Sequence, residues 1–229
     1  MAAHFGIRRA LCLIFFAALF SVPAFCPIIY GGRNAREVAL TFDDGPSFKF
    51  TMKILDILRH ERVKATFFIV GQKAEMYPEI LKMTANAGHE LANHTFYHSR
   101  ITTLTNKKML EEISDTTNAI RKITGENVRF FRPPFGSFDR EKRKLVEKAG
   151  YGFVLWSVNA DDFYHLGWGM RTAASIEKKV LRGVRGGDII LAHDDSIQLE
   201  KALPVIIETL KARGYRFVTM SELTGEKTR

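Results

Sequence analysis

Two adjacent carboxylates and a pair of histidines four residues apart are the groups in this sequence best suited to chemistry. Asp43 and Asp44 lie in "TFDDGP", where a segment that begins with the apolar run Val38, Ala39 and Leu40 comes to its end. Neighbouring side chains of a β-strand point to opposite faces, so both carboxylates can serve one cavity only if the strand opens into a loop there. Gly45, which tolerates backbone angles closed to other residues, and Pro46, with its fixed φ, predict that opening. For a lone DDG a surface Asx-turn is the plain alternative. His94 and His98 in "NHTFYH" have i, i+4 spacing, which on a helical turn places two imidazoles on one face, within reach of a shared ion. Asp44 offers a third ligand. Two histidines, one carboxylate and open positions for water make a catalytic rather than a structural metal site. His89 falls inside an apolar segment and reads as a satisfied core residue, while His4, His60 and His165 read as structural or surface residues.

Such a cluster needs elements that carry distant residues to one rim. Short apolar segments predict strands over 37–42, 65–70, 89–92, 128–131, 152–158, 188–192 and 216–219. Helical stripes lie between them: Phe50, Ile54, Ile57 and Leu58; Met109, Ile113, Ile120 and Ile123; Leu203, Ile206 and Leu210. Asp139 is placed as a helix N-cap, and Gly150 and Gly214 stand where C-caps belong. Seven strands alternating with helices imply an α/β fold, a distorted (β/α) barrel with about seven parallel strands. Sites in such folds gather at the carboxyl ends of the strands. The polar clusters gather there too: "DDGP" follows the first strand, "NHTFYH" the third, "RPPFG" the fourth, "NADDF" the fifth and "HDD" the sixth.

The 229 residues suit one domain with an ample core, and 46% hydrophobic content argues against disorder. Arg8 and Arg9 precede the uncharged run "ALCLIFFAALFSV", the pattern of a secretory signal over residues 1–24, with Val22 and Ala24 as the small residues before the cut. Retained, the same segment would attach the chain to a membrane. Phe25 before Cys26 is a poor lipobox. Cys12 and Cys26 are the only cysteines, and Cys12 leaves with the leader, so no internal disulfide is expected. The formal charge is +9, and losing Arg8 and Arg9 leaves 32 basic against 25 acidic side chains. Both signs mix at helical spacing in "REKRKLVEK", and no aromatic-lined basic patch suggests nucleic acid. Export to the periplasm, cell envelope or medium, as a monomer, is the expectation.

Taken together, "TFDDGP", "HTFYH", "RPPFG", "DDF" and "LAH" resemble, in order and spacing, the five motifs of the polysaccharide deacetylases, the NodB homology domain of carbohydrate esterase family 4. The resemblance covers residues 36–222. It implies a NodB-like barrel and a divalent metal, Zn²⁺ first with Co²⁺ or Ni²⁺ also compatible. It also implies hydrolysis of acetyl groups on an acetylated polysaccharide or oligosaccharide. Carried over by position, it makes Asp44, His94 and His98 the metal ligands, Asp43 the general base and His193 the general acid. Arg132 would hold Asp43 ionised and oriented, and Asp162 would do the same for His193. Pro133 and the main-chain amide of Phe135 would meet the substrate, with Leu191 and Phe163 as walls of the pocket. The fourth motif departs from the family pattern: Asn159 replaces an Asp, weakening any tuning of Arg132, and Phe163 replaces a Trp, losing an indole donor.

Three readings compete for these residues. N-deacetylation of a GlcNAc-containing polymer such as peptidoglycan, chitin oligomers or exopolysaccharide uses all of them. An O-acetyl esterase acting on a polysaccharide such as xylan would need His193 less, because an alkoxide departs more readily than an amine. An inactive glycan-binding module would be expected to lack Asp43, His94, His98 or His193, and all four are present.

Overall fold

The computed structural model describes residues 28–32, 34–163 and 171–225; the leader expected at 1–24, His4 and His165 lie outside them. The strands are β1 (Glu37–Gly45), β2 (Thr66–Ile69), β3 (Glu90–Asn93), β4 (Phe130–Phe131), β5 (Gly152–Phe153), β6 (Val158–Asn159), β7 (Ile189–His193) and β8 (Arg216–Val218). They form one sheet in the order β5-β4-β3-β2-β1-β7-β6, with β8 on the first residues of β1. Every paired neighbour is parallel. A parallel sheet is covered on both faces, so its strands read as apolar runs without polar alternation, as "EVALTF" does.

The alternation is nonetheless visible in what each side chain touches. Val38, Leu40 and Phe42 of β1 pack into the large core beneath α1 (Phe50–His60) and α7 (Ile197–Ala212). Ala39, between them, joins Phe68, Ala92, Phe130 and Ile189 in the barrel interior. By the same period Thr41 and Asp43 belong to the interior side.

The remaining helices are α2 (Gly71–Met76), α3 (Pro78–Asn86), α4 (Asn106–Thr124), α5 (Arg140–Lys148), α6 (Ala173–Gly183) and α8 (Met220–Thr224). The three expected stripes all fall on helices, and Ile54, Leu58, Met109, Ile113, Ile120, Leu203, Ile206 and Leu210 are buried. Asp139 caps α5 by accepting from the Lys142 N–H at 2.8 Å. Gly150 and Gly214 follow α5 and α7 in left-handed conformations, at φ 93° and 85°. Among the described residues no helix is long and apolar enough to cross a membrane.

The segment predicted as one strand over 152–158 is two strands at opposite edges of the sheet. β5 pairs with β4, and β6 pairs with β7. Between them the chain crosses from edge to edge: Val154 N–H donates to the Phe131 carbonyl, Leu155 N–H to that of Ile29 and Ser157 N–H to that of Ile189. A continuous strand would need the same neighbour throughout, and here the neighbour changes. Ile29 and Gly31 make isolated bridges to Val154 and Asp188, so residues 28–32 fill the gap where the barrel would otherwise stay open.

Candidate active site

Strand β1 does not end before the two carboxylates. Pairing with β2 continues to Gly45, but the register shifts between Asp43 and Gly45, a bulge centred on Asp44. Asp44 itself takes the left-handed conformation, φ 75°, which turns its side chain to the side Asp43 already faces. The opening comes from a bulge at Asp44 rather than from a loop begun by Gly45. The Lys73 Nζ donates to the Asp44 carbonyl at 2.6 Å and the Val70 N–H to that of Gly45, fixing the bulge from β2 and α2.

His94 and His98 leave β3 on a loop, not on a helical turn. Thr95 and His98 are left-handed, at φ 64° and 57°, and this reversal, rather than helical spacing, brings the two rings to 5.1 Å between centroids. Glu112, buried on α4, holds the loop by accepting from the Tyr97 N–H and the Ser99 hydroxyl. The His94 Nδ1 lies 2.8 Å from the Arg132 carbonyl. A carbonyl only accepts, so Nδ1 carries the proton and the Nε2 lone pair faces the carboxylates. Burial lowers the His94 pKa and favours this neutral ring.

Nε2 of His98 is 3.1 Å from Asp44 Oδ1, and Nε2 of His94 is 3.5 Å from the same oxygen. One ligand atom from each residue lies within 4.8 Å of the others. Asp44 Oδ1 is buried and receives no hydrogen bond in the described structure. Burial would raise its pKa, yet the nearby His98 and His193 leave it well below the ordinary carboxylate range. An ionised oxygen without a donor, facing an imidazole lone pair, fits a cation better than any protein partner.

Asp43 and Arg132 form the second layer. Arg132 Nη1 donates to Asp43 Oδ1 at 2.6 Å and to Thr41 Oγ1 at 2.9 Å, and Nη2 donates to the Leu155 carbonyl at 3.1 Å. The Arg132 side chain is 0% exposed, and its guanidinium stacks 3.9 Å from the Phe68 ring centroid. This excludes a surface salt bridge. Asp43 Oδ2 lies 3.7 Å from His94 Nε2, beside the cluster.

Opposite stands His193. The register of β1 against β7 pairs Asp43 with His193 and Thr41 with Leu191, so base and acid candidates emerge side by side. Asp162 receives the His193 main-chain N–H on Oδ2 and the His193 Nδ1–H on Oδ1, both at 2.9 Å. Burial would lower the His193 pKa, but Asp162, with Asp43 and Asp44 behind it, raises it from 6.5 to about 9. Phe163 packs edge-to-face on that imidazole, with 5.2 Å between ring centroids.

A cavity of about 370 Å³ joins Asp43, Asp44, His94, His98, His193, Leu191, Phe163 and Phe135. Phe135 is exposed at its lip, with its ring 4.7 Å from that of His98. Pro133, expected to meet substrate, is instead buried off the cavity lining and shapes the turn, accepting from the Gly136 N–H. Asn159 accepts from the Asp161 N–H, and Asp161 is tied to Arg171 and Lys179, away from the centre. His89 is satisfied as expected, accepting the Ala65 N–H, with burial lowering its pKa to about 4. A larger hollow of about 640 Å³ opens at the amino ends of the strands beside His89 and Arg129, and no metal-capable group forms among the described residues there.

Glu112, Lys73, Thr41 and Trp156 were missed from sequence. Glu112 carried a signal, a carboxylate three residues after Met109 on the apolar face of α4. Thr41 carried another, lying between Ala39 and Asp43 in the inward period. Trp156, which lines the cavity, lay inside what read as a plain strand.

The sequence pattern of the polysaccharide deacetylase family matches residues 31–154. Peptidoglycan-N-acetylglucosamine deacetylase PgdA of Listeria monocytogenes is 34% identical over 201 residues, covering 88% of this chain and 41% of that protein. This chain therefore spans under half the length of that relative. A peptidoglycan-N-acetylglucosamine deacetylase of Bacillus cereus is 37% identical over 198 residues, 85% of this chain and 91% of its own. The crystal structure of the Bc1960 peptidoglycan N-acetylglucosamine deacetylase superposes with a TM-score of 0.82 at 35% identity, covering 86% of this chain and 92% of that one. On this match in pattern, sequence and fold, the chain belongs to the polysaccharide deacetylase family.

Proposed function

We propose that this chain is a cation-dependent N-deacetylase of a GlcNAc-containing glycan, peptidoglycan first among them, exported by the leader at 1–24 and acting through the domain at 36–222. The observation that carries the reading is the side-by-side arrangement of a buried Asp43–Arg132 pair, the Asp44, His94 and His98 cluster, and the His193–Asp162 pair around one cavity.

Asp44, His94 and His98 would hold the cation. Bound there, Zn²⁺, or Co²⁺ or Ni²⁺ with the same mixed donors, acidifies water and polarises an acetyl carbonyl. Arg132 occupies one oxygen of Asp43, leaving Oδ2 beside His94 to take the proton of the attacking water. Departure of an amine requires a proton, and His193 can donate it from Nε2 because Asp162 holds Nδ1. The Phe135 main-chain N–H would donate to the developing oxyanion, while Leu191 and Phe163 would enclose the acetyl methyl.

The test is acetate release by zinc-loaded protein from chitin oligomers, peptidoglycan and acetylated exopolysaccharide. Release that stops in chelator and in Asp43→Asn is the expected result. No acetate from any of the three would refute the reading.

A further inference from the structure

A buried carboxyl group next to the site has no part in the chemistry above. Asp194 follows His193 at the end of β7 and is 0% exposed. Its Oδ2 accepts from Thr51 Oγ1 of α1 at 2.5 Å, and its Oδ1 has no partner in the described structure. A Cβ on residue 45 would overlap Oδ2, so the carboxyl group lies directly on the Gly45 backbone, a place only glycine can leave open. The Asp194 N–H donates to the Asp43 carbonyl at 3.2 Å. Its own carbonyl accepts from Ser47 Oγ at 3.0 Å, and that hydroxyl receives the Phe50 and Thr51 N–H groups at the start of α1. One residue therefore touches the β1 bulge on both sides of Asp44, anchors the entry to α1 and is covalently next to His193.

We propose that Asp194 is a positioning residue, a clamp that presses the Asp43–Gly45 bulge against β7 and so fixes Asp43 and Asp44 relative to His193. A non-glycine residue in the left-handed region persists where its surroundings over-determine it. Lys73 and Val70 grip the bulge from the β2 side, and Asp194 supplies the grip from the β7 side. An apolar residue would fill the same space without stranding a buried oxygen, so packing alone does not account for a carboxyl group here.

This inference rests on the roles given to Asp43, Asp44 and His193, and its test separates the two. Zinc titration of cation-free protein by calorimetry is run beside steady-state deacetylation of a chitin tetramer. In Asp194→Ala, zinc affinity and kcat should each fall about 10–100-fold, the range for outer groups that orient ligands, with KM within about threefold of wild type. Asp194→Asn keeps the shape and the acceptor for Thr51 and should recover both to within about threefold, whereas Asp194→Leu, which fills the space but offers no acceptor, should stay as impaired as Asp194→Ala, a difference that packing alone would not give. Should Asp194→Ala not fold, Thr51→Val, which removes the donor but keeps the shape, should weaken zinc binding in the same direction. The clamp is refuted if folded Asp194→Ala binds zinc and turns over like wild type, or if Asp194→Asn is as damaged as Asp194→Ala. If wild type releases no acetate, the functional reading falls, and the zinc titration still judges the clamp.

Discussion

Arg132 is the residue whose removal should be felt most in stability. A guanidinium shut away from water and 2.6 Å from Asp43 has exchanged its hydration for fixed partners, and Asp43 has done the same. Taking one partner away leaves the other charged and buried, which costs about 3–5 kcal/mol. Arg132→Ala should therefore lower the urea midpoint by that equivalent at an unchanged slope. His193 should be felt in chemistry. Loss of a general acid costs about 10²–10⁴-fold, and His193→Ala should show that loss on an acetamido sugar while an acetyl ester, whose leaving group needs the proton less, is largely spared. Equal loss on both would argue against proton donation to nitrogen. The histidine's pKa, raised to about 9, also sets a pH window. Being raised on folding, it stabilises the fold fully below about pH 6.5, and the benefit fades as pH climbs through 9. In cation-free Asp162→Asn that alkaline slope should shrink, and in the zinc-loaded variant the alkaline limb of kcat/KM should move down by about one unit or more.

At the scale of elements, the supports for the cluster matter as much as its members. Glu112 reaches across from α4 to fasten Tyr97 and Ser99, on either side of His98. Glu112→Ala should loosen one ligand without touching it, weakening zinc binding by about tenfold or more, measured by calorimetry on cation-free protein. If affinity is unchanged, the loop holds its shape without α4. This element also shows what a sequence can and cannot tell. The candidate residues that the fold brings to one cavity were legible because residue type and strand-end position are local properties. The means of bringing them together were not, since the i, i+4 spacing of His94 and His98 suggested a helix where Thr95 and His98 reverse the chain in left-handed conformations. Likewise Gly45 suggested a loop, yet Asp44 takes the unusual φ and Gly45 is required by the approach of Asp194. Both are tertiary effects: a carboxyl group from β7 and a glutamate from α4 impose backbone angles that local propensity does not favour.

For the molecule as a whole, the question is how a sheet whose edges are β5 and β6 becomes a closed scaffold. Apolar runs and their helices predicted the parallel barrel, but not its seam, because closure depends on which distant segments meet. The chain supplies the seam twice, once by the crossing at 154–157 and once by residues 28–32. Ile29 N–H donates to the Phe153 carbonyl, Ile29 accepts from Leu155 N–H, and Gly32 N–H donates to the Gly187 carbonyl at 2.7 Å. Ile28 and Ile29 pack against clusters on the two sides of this seam. Three hydrogen bonds at about 1 kcal/mol each, with partial burial of two isoleucines, put the contribution at roughly 3–5 kcal/mol. A chain begun at Arg36, where the motif resemblance starts, should accordingly unfold at a markedly lower urea concentration than one begun at Phe25. The Arg132 guanidinium hydrogen-bonds to the Leu155 carbonyl within the same crossing. Opening the seam should therefore loosen the hold on Asp43, so the shorter chain should lose kcat at saturating zinc even where it remains folded. Equal stability and turnover in the two chains would mean that the crossing at 154–157 closes the barrel alone.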